Sequence, residues 1–424
     1  MSQKQRDERA KALRERLNNE LQRMSLDMCV KCTICETACP VAPVTTLFSG
    51  PKFVGPQAER FRDGESVDHS VDYCSSCGTC SVVCPQGVDV AELNSLARAV
   101  MKAEHGVPVR DQLITQTVLM GKAMTPVAPI ANAVLDNKLA RVAMEKVVGV
   151  HRDAPMPTAR GESLHKWLRK RPARTSPAPR GALVYFHGCA GGYFEVDAAK
   201  KAIEVLEHIG YEVIVPEQGC CGLAEQSNGL FEKASASVRR LVDQLRSAGT
   251  DLTIISTAGS CTGMLKHEAH KILGIHDPEL LDVGTRIREI SEFLMELYEA
   301  GELPTDFRPV EMRLPYHAPC QLKSQGIGTP AFDLLRLIPG LEVIDSGVTC
   351  CGIAGTYGLK KEKYDIAQAV GKPLFDMVKA NNDGLAACDT ETCRWQIEKS
   401  SGVETVHPIV LLHRAYGLGG AVAR

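Results

Sequence analysis

The sequence predicts an α+β chain of several domains: a small helical N-terminal domain stapled by metal, followed by two copies of one α/β module. Three observations carry this prediction. Cysteine is dense near the N-terminus in two matching runs, strand-like and helix-like stretches alternate beyond residue 180, and the cysteines of that C-terminal half recur at a fixed offset. With 424 residues, 44% of them hydrophobic and 24% charged, the chain is large enough for two or three domains with real cores. Lys and Arg number 49 against 51 Asp and Glu, so no global charge points to nucleic acid, and none is expected as a partner.

Residues 1–25 read as a helix with Leu13, Leu17, Leu21 and Met24 on one stripe, a face expected to dock on the chain's own body. The segment is charged throughout, so neither a secretory nor a lipidation signal is expected, and the chain is expected in the cytoplasm. No uninterrupted run of 18 apolar residues occurs, so an ordinary spanning helix is not expected. Membrane association would be peripheral or through a partner.

Residues 26–90 are the next unit, short, Cys-dense and punctuated by Gly and Pro, which suits a domain held by metal rather than by a core. Seventeen cysteines in a chain expected to live in a reducing compartment read as metal ligation or redox chemistry, not as a disulfide framework. The spacing decides the chemistry. Cys29-x2-Cys32-x2-Cys35-x3-Cys39-Pro40 is repeated as Cys74-x2-Cys77-x2-Cys80-x3-Cys84-Pro85. Three cysteines at every third position wrap one face of a cubane, and the fourth, before Pro, turns away to the other cluster. Cys29, Cys32, Cys35 and Cys84 are therefore expected to hold one 4Fe-4S cluster, and Cys74, Cys77, Cys80 and Cys39 the second, in a ferredoxin-type domain. Zinc or unligated thiols are the alternatives, and two complete copies of the motif argue against both.

Residues 91–180 read as a helical connector followed by a Pro- and Arg-rich linker from 151. The apolar side chains Leu113, Val118, Leu119, Ile130, Val134 and Leu135 belong either to a packing layer or to an amphipathic surface touching membrane, and packing is favoured. The basic run Lys166 to Arg174 with Trp167 reads as solvated linker, with a lipid or acidic partner as the alternative.

Beyond 180, ALVYFHGC ending at Cys189 matches RLPYHAPC ending at Cys320. A helix follows in each copy, then a strand leading into Cys220-Cys221-Gly222 or Cys350-Cys351-Gly352, then a further helix and strand leading to Cys261 or Cys393. The matched cysteines lie 131, 130, 130 and 132 residues apart, which makes 181–310 and 311–424 a duplicated module. Parallel α/β sheets form sites outside the carboxyl ends of their strands, so these thiols are expected to converge there. His187 and His317, beside the opening cysteines, could ligate, donate to a cluster or handle protons, although a structural role is favoured. No Gly-x-Gly-x-x-Gly fingerprint follows a strand, and no phosphate loop, Ser-His-Asp arrangement or zincin motif occurs, so neither FAD nor NAD is expected and substrate oxidation is assigned to another subunit.

The two modules resemble the cysteine-rich CCG domains of heterodisulfide reductases and related respiratory subunits, whose pattern is a Cys, a distant Cys-Cys-Gly and a closing Cys-x2-Cys. In that family the cysteines hold a noncubane 4Fe-4S cluster in some members. Here the closing pair departs from the pattern: Ala258 precedes Cys261, and Thr390 precedes Cys393 with Cys388 two residues earlier. The resemblance implies one ligand set of Cys189, Cys220, Cys221 and Cys261 and another of Cys320, Cys350, Cys351 and Cys393. Cys388 is either a substitute ligand or an inert strand cysteine. Over nearly its whole length the chain is also similar to the C-subunit family of anaerobic glycerol-3-phosphate dehydrogenases, on GPQAERFR, TPVAPIAN, CCGIAGTYGLKKEKY, ETCRWQIE and VHPIVLL. That resemblance implies a non-catalytic iron-sulfur subunit that takes electrons from flavoprotein subunits oxidising sn-glycerol 3-phosphate to dihydroxyacetone phosphate. It implies a relay toward menaquinone at the cytoplasmic membrane face, directly or through a partner. A heterodisulfide-reductase-like catalytic subunit and the iron-sulfur subunit of a glycolate or lactate oxidase are the rival implications.

Overall fold

The computed structural model describes residues 3–21, 28–57, 68–172 and 178–418. Met24, the side chain of Leu21 and residues 58–62 of GPQAERFR lie outside them. Helix α1 (Gln3–Leu21) buries Leu17 and rests Leu13 against helix α2 (Val90–His105), while Arg14 pairs with Glu104 at the far end. The stripe therefore docks on the chain's own body.

Helix α2 is buried almost all round from Val90 to Ala103, its polar Asn94, Ser95, Arg98 and Lys102 included. It lends Leu93, Leu96, Ala97 and Val100 to Val41, Phe48, Val54 and Val71 of the Cys-dense segment. That segment is thus stapled by cysteines and also packed on a core, which the short spacing of its own apolar residues does not reveal.

The connector forms α3 (Val109–Ile114), α4 (Thr117–Met124), α5 (Ala128–Asp136) and α6 (Lys138–Val147), with a 3-10 turn at Thr125–Val127 joining α4 to α5. The favoured packing layer is not what the structure shows. Leu113, Leu119, Ile130 and Val134 are exposed and Val118 and Leu135 half-buried, because the helices lie on the outside and each buries a single residue, Asp111, Gly121, Ala128 and Arg141 in turn. The joined run Thr117–Asp136 is, by length and composition alone, apolar enough to cross a membrane, although Lys122 and the prolines interrupt its apolar sequence. The Pro- and Arg-rich stretch is less of a linker than its composition suggests: helix Leu164–Lys170 buries Leu164 and packs Trp167 on the first module's core. Arg174, the last residue of the basic run, lies outside the described residues.

Each module is a four-stranded parallel sheet. Strands β1 (Ala182–Phe186), β2 (Glu212–Ile214), β3 (Ile254–Ser256) and β4 (Ile287–Glu289) run in the order β2-β1-β3-β4. Strands β5 (Met312–His317), β6 (Leu341–Asp345), β7 (Leu385–Cys388) and β8 (Glu404–Val406) repeat that order as β6-β5-β7-β8. Val184 pairs Ile214 on one side and Ile254 on the other, and His317 pairs Cys388. The near-continuous apolar strands, such as Ala182–Phe186, fit sheets covered by helices on both faces, and helical crossovers make them parallel. The sequence alternation reveals three strands per module, each leading to a cysteine; β4 and β8 follow the closing cysteines and lead to none, so the repeat does not mark them. One apolar cluster runs from Leu183, Tyr185 and Leu294 through Leu314, Tyr316 and Leu412, so the two modules share a core.

Candidate iron-sulfur centres

The two N-terminal cysteine loops have the same backbone. Lys31 and Thr33 in the first, and Ser76 and Gly78 in the second, take left-handed φ of 59, 67, 55 and 79°. Alternation of right- and left-handed residues aims successive N–H groups into one concavity, which suits an anionic sulfur cage. Three such groups reach thiols: Ser76 N–H donates to Cys74 Sγ at 3.4 Å, Ala42 to Cys39 at 3.5 Å and Val88 to Cys84 at 3.4 Å.

The loops exchange their fourth cysteines. Cys29, Cys32, Cys35 and Cys84 line one small pocket. Cys39 lies instead by Cys74 and Cys77, and those two lie by Cys80. The first group is open to solvent at Cys32, with Cys29 and Cys84 half-buried; in the second all four are buried. Burial above all pushes the Cys39 thiol up to about 12 and Cys77 to about 11, so ionised sulfur is stable there only against a strong local positive charge such as ligated iron.

The module cysteines follow strand ends, as the duplicated pattern predicts. Cys221 Sγ lies 3.1 Å from Cys261 Sγ, and Cys351 Sγ 3.0 Å from Cys393 Sγ. The thiols of Cys189 and Cys221 surround Cys220, and those of Cys320 and Cys351 surround Cys350; these neighbours hold Cys220 and Cys350 well below the usual thiol range. Backbone N–H groups of Gly222 and Gly352 donate to Cys220 at 3.4 Å and Cys350 at 3.3 Å. Each glycine is required twice over: φ is 82° and 88°, and a Cβ would meet the carbonyls of Ala234 and Ala367.

All eight of these cysteines face one largely apolar cavity of about 190 Å³, and Cys77 of the N-terminal domain opens into it beside Cys320 and Cys350. Thiolates on this scale suit iron-sulfur clusters, and the cavity walls supply unspent donors. Thr390 Oγ1, where the CCG pattern has its missing Cys, is buried, without a partner and on the wall. The Thr117 hydroxyl of α4, likewise otherwise unpartnered, lies by Cys189 and Cys220. Cys388 is fully buried in β7 and touches Cys393 from behind, outside the cavity wall.

His187 is held by Gly188 O and by His165 at 3.2 Å, and burial lowers it to about 3. His317 is fixed by Ser346 Oγ at 3.1 Å and lowered by burial to about 4. Both are neutral rings packed behind the thiols rather than on the cavity wall. Sequence reasoning missed Cys77 as a wall of the shared cavity, Thr117, and the buried Arg98, which donates to the Cys74 carbonyl and whose place in the apolar run Leu96 to Met101 is the one signal that could have marked it.

Comparisons with known proteins agree with this geometry. A family model described as 4Fe-4S dicluster domain matches residues 25–88, and one described as cysteine-rich domain matches 183–266 and 314–398. The C-subunit of anaerobic glycerol-3-phosphate dehydrogenase from Escherichia coli K12 is 34% identical over 92% of this chain and 98% of its own length. The B-subunit of fumarate reductase (CoM/CoB) from Methanothermobacter marburgensis is 26% identical over 92% of this chain and 72% of its own. The D-subunit of dihydromethanophenazine:CoB–CoM heterodisulfide reductase from Methanosarcina barkeri is 24% identical over 87% of each chain. These relatives are subunits of oxidoreductase complexes, and iron-sulfur electron transfer is the role that they and the cysteine framework share. The chain is an iron-sulfur electron-transfer subunit and belongs to the C-subunit family of anaerobic glycerol-3-phosphate dehydrogenases.

Proposed function

We propose that this chain takes electrons from flavoprotein subunits that oxidise sn-glycerol 3-phosphate to dihydroxyacetone phosphate and passes them toward menaquinone at the inner face of the cytoplasmic membrane. The supporting observation is the row in which the thiols stand. It starts at the half-open Cys29, Cys32, Cys35 and Cys84, continues through the buried Cys39, Cys74, Cys77 and Cys80, and reaches the second module's Cys320, Cys350, Cys351 and Cys393 through Cys77. The first module's Cys189, Cys220, Cys221 and Cys261 complete it on the same cavity, against Thr117 of the connector. We assign these four sets as ligand sets and leave Cys388 out because it stands off the cavity wall. Bound clusters would supply one-electron carriage, turning a two-electron flavin step into a chain of single transfers.

Both ends of the row carry exposed apolar surface. Val30 and Ile34, both exposed, line the pocket of the outer set and offer a contact face for a donor protein. At the other end, Leu119 is 63% exposed, Ile130 67% and Leu139 81%, and a groove of about 420 Å³ runs between α5 and α6. This face fits the membrane side of a peripheral subunit. The test is anaerobic reconstitution: glycerol 3-phosphate should reduce the clusters only when the flavoprotein subunits are present, and a menaquinone analogue in vesicles should reoxidise them. Reduction by 2-hydroxy acids through another flavoprotein, or none by glycerol 3-phosphate, rejects the substrate assignment.

A further inference from the structure

The segment CCGIAGTYGLKKEKY leaves the second module and reaches into the N-terminal domain, and nothing in the relay itself uses its lysines. Lys363, 2% exposed, donates to the Asp72 carbonyl and pairs with its carboxylate at 3.1 Å, two residues before Cys74. Lys102 pairs with the same carboxylate at 3.0 Å. Lys360, 4% exposed, is held by Asp111 at 2.8 Å and by Asn228 at 2.7 Å. Arg98, also buried, donates to the carbonyls of Val71 and Cys74 at 3.1 and 2.5 Å and to Ser76 Oγ at 2.8 Å, fixing the loop whose N–H reaches Cys74 Sγ. Among the described residues, these four buried basic side chains thus face only the carboxylates of Asp72 and Asp111, and Arg110 draws on Asp111 as well as on Glu362 at the edge. Tyr357 from the same segment completes the enclosure, its hydroxyl buried, without a partner, and with the Cys74 thiol among its charged neighbours.

Among the described residues this region therefore holds more buried basic side chains than carboxylates, around a small polar pocket beside Cys74. Burial first, and Lys360 second, hold Lys363 down at about 7, with the Asp72 carboxylate pulling the other way, so negative charge placed beside it favours its protonated form. A cluster on four thiolates is anionic and gains a further negative charge on reduction. The pocket of Cys29, Cys32, Cys35 and Cys84 has a different setting: among the described residues the cations lining it are Lys31, exposed, and Lys52, half-exposed, where water screens them.

We propose that Arg98, Lys102, Lys360 and Lys363 form a charge cradle, built jointly by the N-terminal domain and the second module, that makes the cluster on Cys39, Cys74, Cys77 and Cys80 the higher-potential member of the N-terminal pair. These are positioning residues: they touch no substrate and act by stabilising the reduced form next to them. The arrangement sets the direction of the first transfer inward. It also ties that direction to docking of the second module, since two of the four charges arrive on it. The inference rests on the ligand sets of the proposed relay.

The test is a reductive titration of the anaerobically purified full chain, followed by EPR, on the parent, Lys363→Met and Lys363→Arg. Cys32→Ser, at the exposed outer set, identifies which cubane signal belongs to that set. The expected result is a shift to more negative midpoint potential for the other cubane in Lys363→Met, no shift for the outer one, and return to the parent value in Lys363→Arg. An unmoved midpoint with both cubanes present overturns the cradle, as does an equal shift of both signals or an Arg variant that behaves like Met. If Lys363→Met loses iron, Lys102→Gln carries the same expectation and the same refutation. A parent chain with only one cubane would instead reject the ligand sets, so the two failures are distinct.

Discussion

Gly352→Ala should disable the second module, and the structure sets the scale of the damage. The residue sits at φ 88°, where an L side chain costs about 1–2 kcal/mol. A Cβ there would also overlap the Ala367 carbonyl, lying 2.9 Å from its carbon and 3.2 Å from Gly371 N, all backbone of one helix that has no rotamer to yield. Forced overpacking adds about 1–3 kcal/mol, so the total is about 2–5 kcal/mol. The strain falls on the turn carrying Cys350 and Cys351, and iron in that module should fall with stability. Gly355→Ala is the control: its φ is 62° but nothing lies within 4 Å of the added methyl, so only the backbone cost of about 1–2 kcal/mol applies. The assay is the urea midpoint followed by circular dichroism, with iron per chain measured on the same samples. Equal losses in the two variants, or a Gly352→Ala chain with unchanged midpoint and iron, would refute the steric argument.

Other expectations follow from the same structure. Thr33 is the left-handed counterpart of Gly78; Thr33→Gly relieves about 1–2 kcal/mol of backbone strain against about 0.5–1 kcal/mol of added chain entropy, so its urea midpoint should rise slightly. Asp111→Asn strands Lys360 in the interior and should cost about 3–5 kcal/mol near neutral pH. Burial alone would raise the Asp111 carboxyl, but Lys360 and Arg110 outweigh it and hold it below the usual range; that stabilisation is complete above a pH of about 4 and fades below it, and the acid-side slope it causes should be absent from the Asn variant. Replacing Ile130 and Val134 together by Asp removes about 3 kcal/mol or more of apolar burial from a membrane-bound state, so binding to anionic vesicles should weaken about a hundredfold while cluster signals stay intact. Unchanged binding would move membrane contact away from α5.

What the sequence makes legible here is whatever is written in spacing. Cys29 to Cys39 and Cys74 to Cys84 repeat one loop, and the constant offset between modules announces a duplication before any strand is assigned, because ligation fixes residue intervals more tightly than packing does. Exposure is not written that way. Leu119, Ile130 and Val134 read the same whether they face a core or a membrane, and only the fold puts them outside. Cys388 has the composition of a ligand and the position of a core residue, a distinction of a few ångströms that depends on where β7 ends. Lys360 and Lys363 look like surface lysines in a charged stretch; their burial depends on a contact between domains almost 300 residues apart, visible in the bond from Lys363 to Asp72. His187 and His317 stand out in the sequence by their proximity to cysteine, yet their rings are packed away from the thiols' open side.

The central claim is that four thiolate sets, not two, carry iron-sulfur chemistry along one row. Iron and acid-labile sulfide per chain, measured on anaerobically purified protein with EPR of the reduced and oxidised states, tests it most directly. The account predicts clearly more than the roughly eight irons that two cubanes need, with a distinct signal lost in Cys351→Ser or Cys221→Ser. About eight irons with cubane signals alone, unaffected by either substitution, would contradict it and end the relay at Cys77.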